Sequence, residues 1–253
     1  MTVDLKTFLI ACPLVFLGGF IDSIAGGGGL ITVPAYLFAG LPPHLALGTN
    51  KLSSMMGTSA SVYRVVKNRM LKPKLAVPGI IAALLGSTLG SRLVLLVSDE
   101  ILKYVMVVVL PFVAIIVLNK KIFKDIGADE EIISVKTLIL VTIISFVIGT
   151  YDGFYGPGTG TFLLVGYMLI AELSTATSYG QMKIVNFSSN LAAFITFIST
   201  GNMVILLGLA AGVCSILGNY LGSGLAIKNG IKIVRPVIVI VLVLLILKII
   251  FGW

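Results

Sequence analysis

Residues 18–34 read GGFIDSIAGGGGLITVP, and residues 149–162 read GTYDGFYGPGTGTF. Each string sets one aspartate and a glycine-rich break inside a segment that is otherwise nearly pure hydrocarbon. Asp22, Gly26 and Gly28 in the first recur as Asp152, Gly156 and Gly158 in the second. Outward from there the correspondence continues. Lys51 recurs as Lys183, Gly86, Gly90 and Ser91 as Gly218, Gly222 and Ser223, and Lys103 as Arg235. One apolar unit is therefore written twice, with residues 1–126 as the first copy and 127–253 as the second, joined into one integrated unit.

The solvent of this unit follows from composition. Of the 253 residues, 58% are hydrophobic and 11% charged, and the mean hydropathy is +1.12. A soluble domain carries about 25% charged residues, so the chain must use lipid as solvent. The stretches 76–97, 101–118, 134–151, 178–198, 204–225 and 236–252 are each about long enough for a bilayer core, which takes ~20 helical residues. Backbone groups in lipid must be paired within the segment, so these are helices. Runs such as Val237–Leu247 lack the period-two alternation of a membrane barrel. The first apolar stretch follows Lys6 as a signal core would, but it carries Asp22, and its repeat partner lies in mid-chain. It is read as a span. Cys12 and Cys214 fall in apolar spans and are read as packing residues.

The net charge of +8 is clustered. Lys67, Arg69, Lys72 and Lys74 share one short loop. Lys120, Lys121 and Lys124 share a second, and Lys228, Lys232 and Arg235 a third. Basic short loops stay in the cytoplasm, and placing the first inside puts all three on that face, with both chain ends outside. The basic loop at 67–75 corresponds to the uncharged loop at 199–203, and the turn at 98–100 to the basic loop at 226–235. Equivalent loops thus have opposite charge bias. The fold class expected is an all-α membrane protein of two inverted-topology repeats, about five helical elements each, with glycine-broken or re-entrant segments near the midplane, as in secondary transporters. The elements are 7–24, 30–46, 47–66, 76–97 and 101–118, then 134–151, 160–171, 178–198, 204–225 and 236–252. The second of each set is either a span or the return limb of a re-entrant hairpin.

The chemistry concentrates at the breaks and at two lysines. Gly26, Gly28, Gly156 and Gly158 are expected to break their helices where the backbone lines a cavity, presenting half-helix N-termini that favour anions. Close packing through small residues is the alternative. Lys51 heads a polar face with Ser54, Thr58 and Ser61. Lys183 heads another with Asn186 and Asn190. A charge in a span costs roughly 2.5–3.5 kcal/mol at the centre, so these faces point into a cavity or at each other. Lys51, Lys183, Asn50, Ser54, Gln181, Asn186 and Asn190 are the candidate anion-binding residues. The competing readings of the lysines are snorkelling and structural pairing with aspartate. Asp22 and Asp152 are read either as those partners or as proton-coupling groups. Arg92 suits an oxyanion or snorkels. His44 is expected to be solvated in a loop, Tyr151 and Tyr155 to pack, and Trp253 to anchor at the interface. No cofactor, metal or nucleic-acid partner is expected. The bilayer and a small anion are the partners, and a homodimer is compatible.

With ALGTNKLSS at 46–54, KIVNFSSN at 183–190 and LGSGLAIKNGIKIVRPVIV at 221–239, the two opening strings resemble the TauE/SafE sulfite exporter family over essentially the whole chain. That resemblance implies transport of small sulfur oxyanions or organosulfonates, such as sulfite or sulfoacetate, across the bacterial inner membrane. The function expected is a secondary anion transporter working by alternating access, with a proton as the favoured coupling ion. A passive anion channel is the second reading. An intramembrane aspartyl protease using Asp22 and Asp152 is the third, and it is disfavoured because no Gly-x-Gly-Asp string occurs.

Overall fold

The computed structural model describes residues 4–102, 104 and 133–229. The expected elements 101–118 and 236–252, the basic cluster at Lys120, Lys121 and Lys124, and Lys103, Arg235 and Trp253 lie outside them, apart from the first residues of 101–118. Among the described residues all regular structure is helical. The helices are α1 Leu5–Ala25, α2 Gly29–Phe38, α3 Pro43–Lys67, α4 Pro73–Val94, α5 Val135–Phe154, α6 Thr159–Leu169, α7 Thr175–Ser199 and α8 Ile205–Asn229.

Four of these, α1, α4, α5 and α8, are long and apolar enough to cross a membrane. Their outer faces confirm the solvent. Val77, Ile81, Leu85, Leu89 and Leu93 form an exposed stripe on α4, and their repeat equivalents Leu209, Val213, Leu217, Leu221 and Leu225 form another on α8. Stripes of that size in water would mark aggregation; against lipid they are at home. The chain is a multi-pass helical membrane protein. α3 and α7 are as long but turn the opposite chemistry inward, burying Asn50, Lys51, Ser53, Thr58 and Ser61 on one and Gln181, Lys183, Asn186, Ser189 and Asn190 on the other.

The second element of each repeat is too short to cross. α2 and α6 have 10 and 11 residues, about 15 Å at 1.5 Å per residue against a core of about 30 Å. α2 folds back along α1, with Gly28 against Asp22 and Thr32 against Gly18. α6 does the same along α5, where Gly166 meets Ile144 and Ile148, and Tyr167 shares a 2.6 Å hydrogen bond with Ser145. Each is the return limb of a hairpin. Gly26 makes the first turn at φ 76°, and Gly156 and Gly158 make the second at φ 99° and 85°, conformations that suit glycine alone. The two tips meet. A Cβ on Gly26 would lie 2.3 Å from the Gly160 carbonyl carbon, and one on Gly29 would lie 2.9 Å from the Pro157 Cα.

Packing exchanges one helix between the repeats. α1 and α3 pack on α8, whereas α5 and α7 pack on α4. One bundle is thus α1, α2, α3 and α8, and the other is α4, α5, α6 and α7, with α3 against α7 as the main seam. The contacts also fix direction. Leu52 meets Gly208, Met56 meets Gly212 and Arg64 meets Gly224, so α3 and α8 run parallel. Phe16 meets Gly218 and Phe20 meets Gly222, so α1 joins them. In the other bundle Gly86 meets Phe146 and Gly90 meets Phe154, so α4 and α5 run parallel, and α7 follows through Gly79–Val185 and Ser87–Ser189. The start of α3 at Gly48 touches Phe197 and Asn202, and Met70, just past its end, touches Gly180. The two bundles therefore run in opposite senses.

Candidate functional site

Each lysine reaches the aspartate of the other repeat. Lys51 Nζ on α3 lies 3.0 Å from Asp152 Oδ1 and donates to the Asp152 carbonyl at 2.5 Å. Lys183 Nζ on α7 donates to the Asp22 carbonyl at 2.6 Å and lies 3.8 Å from Asp22 Oδ2. Both lysines are buried, at 1% and 0% exposure. Both carbonyls lie in the last turns of α1 and α5, where helix ends leave acceptor capacity to spare, and that of Asp22 also accepts from the Gly26 amide at 2.7 Å. Both pairs cross the seam between bundles, as does the hydrogen bond from the Tyr179 hydroxyl to the Ser23 carbonyl.

Between the pairs lies a hollow lined by Asp22, Asn50, Lys51, Ser54, Thr58, Asp152, Asn186 and Asn190, with Gly26, Gly29, Gly156, Thr159 and Gly160 from the breaks. The N-termini of α2 and α6 open onto it, each worth roughly half a positive charge. Its amides are arranged to donate. Asn50 Oδ1 accepts from Thr32 Oγ1 at 2.5 Å, and Asn186 Oδ1 accepts from Asn190 Nδ2 at 3.1 Å. Neither Asn50 Nδ2 nor Asn186 Nδ2 has an acceptor among the described residues. The cavity is about 20 Å³, space for roughly one water molecule.

The two carboxylates differ. Asp152 is saturated: Oδ1 accepts from Lys51 and from Thr159 Oγ1 at 2.8 Å, and Oδ2 from Ser189 Oγ at 2.5 Å. Asp22 Oδ1 accepts a 3.3 Å hydrogen bond from the Gly28 amide, while Oδ2 is buried with no hydrogen-bond donor among the described residues.

Of the residues singled out from sequence, Lys51, Asn50, Ser54, Asn186, Asn190, Asp22, Asp152, Gly26 and Gly156 gather at this hollow. Gly28 shapes the first tip against Asp22, and Gly158 caps the start of α6. Lys183 stands behind Asp22 and does not line the hollow. Gln181 points away, with Nε2 donating to the Lys72 carbonyl at 3.1 Å. His44 is a correction. It lies in the first turn of α3 rather than solvated in a loop, 2.5 Å from Asp99 Oδ1 and 3.0 Å from the Val94 carbonyl, at the open end of α4 whose last carbonyls need donors. Tyr151 packs edge-on to Phe162 and donates to the Pro157 carbonyl at 2.6 Å, bracing the second tip. Cys12 and Cys214 are free thiols.

Sequence reading missed Thr159 and Ser189, the hydroxyls that saturate Asp152. Their repeat equivalents are Gly29 and Gly57, and that mismatch was the available signal. It also missed Arg64, whose guanidinium stacks 3.9 Å over the Tyr220 ring beside Gly224. Gly224 is the repeat equivalent of Arg92. Arg92 is exposed beside a crevice of about 590 Å³ between α4 and α7, together with Thr88 and Thr196. Each seam between a third and a fourth helix therefore carries one arginine, from α3 in one case and α4 in the other.

Lipid-facing helices wrapped around two touching hairpin tips, with a buried four-charge cluster at the crossing, define a polytopic membrane protein with a polar core. The chain belongs to the TauE/SafE family: the profile described as Sulfite exporter TauE/SafE matches residues 11–249. It is similar to the probable membrane transporter protein ORF9 of Sinorhizobium sp, 36% identical over 97% of this chain and 94% of the relative. It is also similar to a probable membrane transporter protein of Haemophilus influenzae, 34% identical over 100% of this chain and 99% of the relative. The probable membrane transporter protein YfcA of Escherichia coli K12 is 30% identical over 94% of this chain and 88% of its own length. No solved structure matches the chain.

Proposed function

We propose that this protein is a secondary transporter of small anions in the bacterial inner membrane, taking sulfur oxyanions or organosulfonates such as sulfite or sulfoacetate. The observation that carries the reading is the hollow between Lys51 and Asp22. A buried ammonium, two helix N-termini and two amide groups without acceptors all converge on one small space. The ammonium is already engaged by Asp152, but the two asparagine amides are donors waiting for an acceptor, and a small oxyanion supplies several acceptors at once. Family membership and the relatives' printed descriptions as probable membrane transporters agree with it.

In this proposal the two sequence repeats, 1–126 and 127–253, are inserted with inverted topology and form one transport unit. The opposite direction of equivalent helices supports that: α1 and α3 run against α5 and α7, and α4 runs against α8. The moving bodies are the exchanged bundles rather than the sequence halves, because α1 and α8 are packed along their lengths. Lys51–Asp152 is nearer the 199–204 turn and Lys183–Asp22 nearer the 68–72 turn. Each is a latch across the seam, and opening one while the other stays shut gives alternating access.

The cluster also bears on coupling. Two lysines and two aspartates sum to zero charge, and burying one uncompensated anion beside them costs several kcal/mol. An anion that arrives with a proton keeps the balance, which favours proton coupling and a transporter over a passive channel. A thermal-shift screen of purified protein against sulfite, thiosulfate, sulfate, sulfoacetate, taurine and carboxylates tests the reading, since a specific ligand stabilises by mass action. Stabilisation by an oxyanion that is lost in Asn186→Leu is the expected result. No stabilisation by any of them refutes it.

A further inference from the structure

We propose that Asp22, and not its repeat equivalent Asp152, is the carboxylate that takes up the coupling proton; this rests on the anion-transport reading above.

The repeat makes the comparison internal. Asp152 has a donor for each oxygen, and both hydroxyl donors come from positions whose counterparts in the first repeat are glycines. Thr159 corresponds to Gly29, and Ser189 to Gly57. Those glycines are not replaceable in place. A Cβ on Gly57 would sit 2.0 Å from Ser215 Oγ, and one on Gly29 would sit 2.9 Å from the Pro157 Cα. The first repeat therefore holds Asp22 without the hydroxyls that hold Asp152. Among the described residues its Oδ2 is left buried with no hydrogen bond, and its nearest cation is 3.8 Å away. A buried carboxylate oxygen without a donor is costly, and a proton removes that cost by making the oxygen itself a donor.

The surroundings agree. Facing Asp22 are Lys183 and Tyr179 of α7, with Lys51 of α3 and Asp152 across the hollow. Arg64 lies farther along α3. The packed helices α2 and α6 carry no charged residue, and α8 has only Lys228 in its last turn. Lys183 keeps its 2.6 Å hydrogen bond to the Asp22 carbonyl whatever the carboxyl does. The Asp22 side chain is 15% exposed and that of Asp152 3%, so water approaches the rest of the Asp22 side chain although Oδ2 itself is buried. The exchange balances. One proton from water adds to Asp22 Oδ2 as one anion enters beside it. The new O–H donates to an anion oxygen, and the cluster gains no net charge. Asp152, held by Lys51, Thr159 and Ser189, keeps Lys51 pointed at the hollow.

Two measurements test this. The first is proton uptake on anion binding, read by titration calorimetry in buffers of different ionisation enthalpy, with a binding monoanion whose own charge is constant near neutral pH, such as a simple alkanesulfonate. Wild type is expected to take up about one proton per anion and Asp22→Asn none. Equal uptake in both overturns the proposal. The second needs no variant. A hydrophobic carbodiimide reacts with protonated carboxyl groups in apolar surroundings, and peptide mass spectrometry of the treated wild-type protein locates the adduct. Labelling at Asp22 but not Asp152, stronger with the binding anion present than without it and reduced when the reaction is run at alkaline pH, is expected. An adduct on Asp152, or none on Asp22 with the anion present, overturns the assignment. If wild type binds no anion in the screen, the transport reading fails first and this inference falls with it. If it binds anions without taking up protons, only this inference fails.

Discussion

Replacing Lys51 with methionine removes a charge and keeps most of the side-chain volume. The structure makes the cost unequal between the two pairs. Asp152 is 2% exposed, so Lys51→Met leaves a buried carboxylate with hydroxyl donors alone. Breaking a buried pair by removing one partner costs about 3–5 kcal/mol. For a chain of this size each kcal/mol is worth roughly 2–4 °C in melting temperature, so a drop on the order of 10 °C is expected. Lys183→Met removes one 2.6 Å hydrogen bond to a carbonyl and a 3.8 Å ion pair, and its aspartate has partial access to solvent. The loss there is about 1–3 kcal/mol. The pairing itself is read from double mutants. Lys51→Met with Asp152→Asn leaves no orphan charge and is expected to melt higher than the sum of the single losses, with a coupling of about 0.5–3 kcal/mol. Lys51→Met with Asp22→Asn should come closer to additive. The assay is thermal denaturation in detergent followed by size-exclusion chromatography. If Lys51→Met melts with wild type, or if Lys51 couples to Asp22 more strongly than to Asp152, the crossed pairing is wrong.

Two further outcomes follow from the packing. Gly26→Ala places a Cβ 2.3 Å from the Gly160 backbone at a φ of 76°, where side chains other than hydrogen are strained. Strain and overpacking of about 1–3 kcal/mol each should lower the yield of monodisperse protein, whereas Gly40→Ala, with open space around it, should be disturbed only by its own φ. Cys12 on α1 and Cys214 on α8 lie close enough to interact. Oxidative or short bifunctional cross-linking of the two should leave anion flux intact if the exchanged bundles move as units, and should block it if residues 1–126 rock against 127–253.

The helices themselves were legible because hydropathy and glycine breaks are local signals. The expected 134–151 and 178–198 are α5 and α7 to within a few residues, and the break strings fall at the hairpin tips. The lipid-facing stripes of α4 and α8 follow from their fourfold spacing of large apolar residues. Partnership was not legible. Composition shows that Lys51 must be compensated, but the choice of Asp152 over Asp22 depends on how the two hairpin tips cross, a contact between distant segments. For the same reason the exchange of α4 and α8 between repeats had no sequence signal, since both are equally apolar. Gln181 is a candidate by its nearness to Lys183 in sequence, yet two residues at about 100° each put it on the far side of α7, toward the Lys72 carbonyl. His44 reads as solvated because Pro42-Pro43 marks a loop, but those prolines start α3 and so carry the imidazole to the end of α4.

Anion accumulation in proteoliposomes tests the central claim most directly. With an imposed proton gradient, wild-type protein is predicted to concentrate a sulfur oxyanion or sulfonate above its external level, and Lys51→Met and Asn186→Leu, recovered folded, to lose that accumulation. Equal accumulation by wild type and by both variants would contradict the account, because the hollow between Lys51 and Asp22 would then not be where the anion binds.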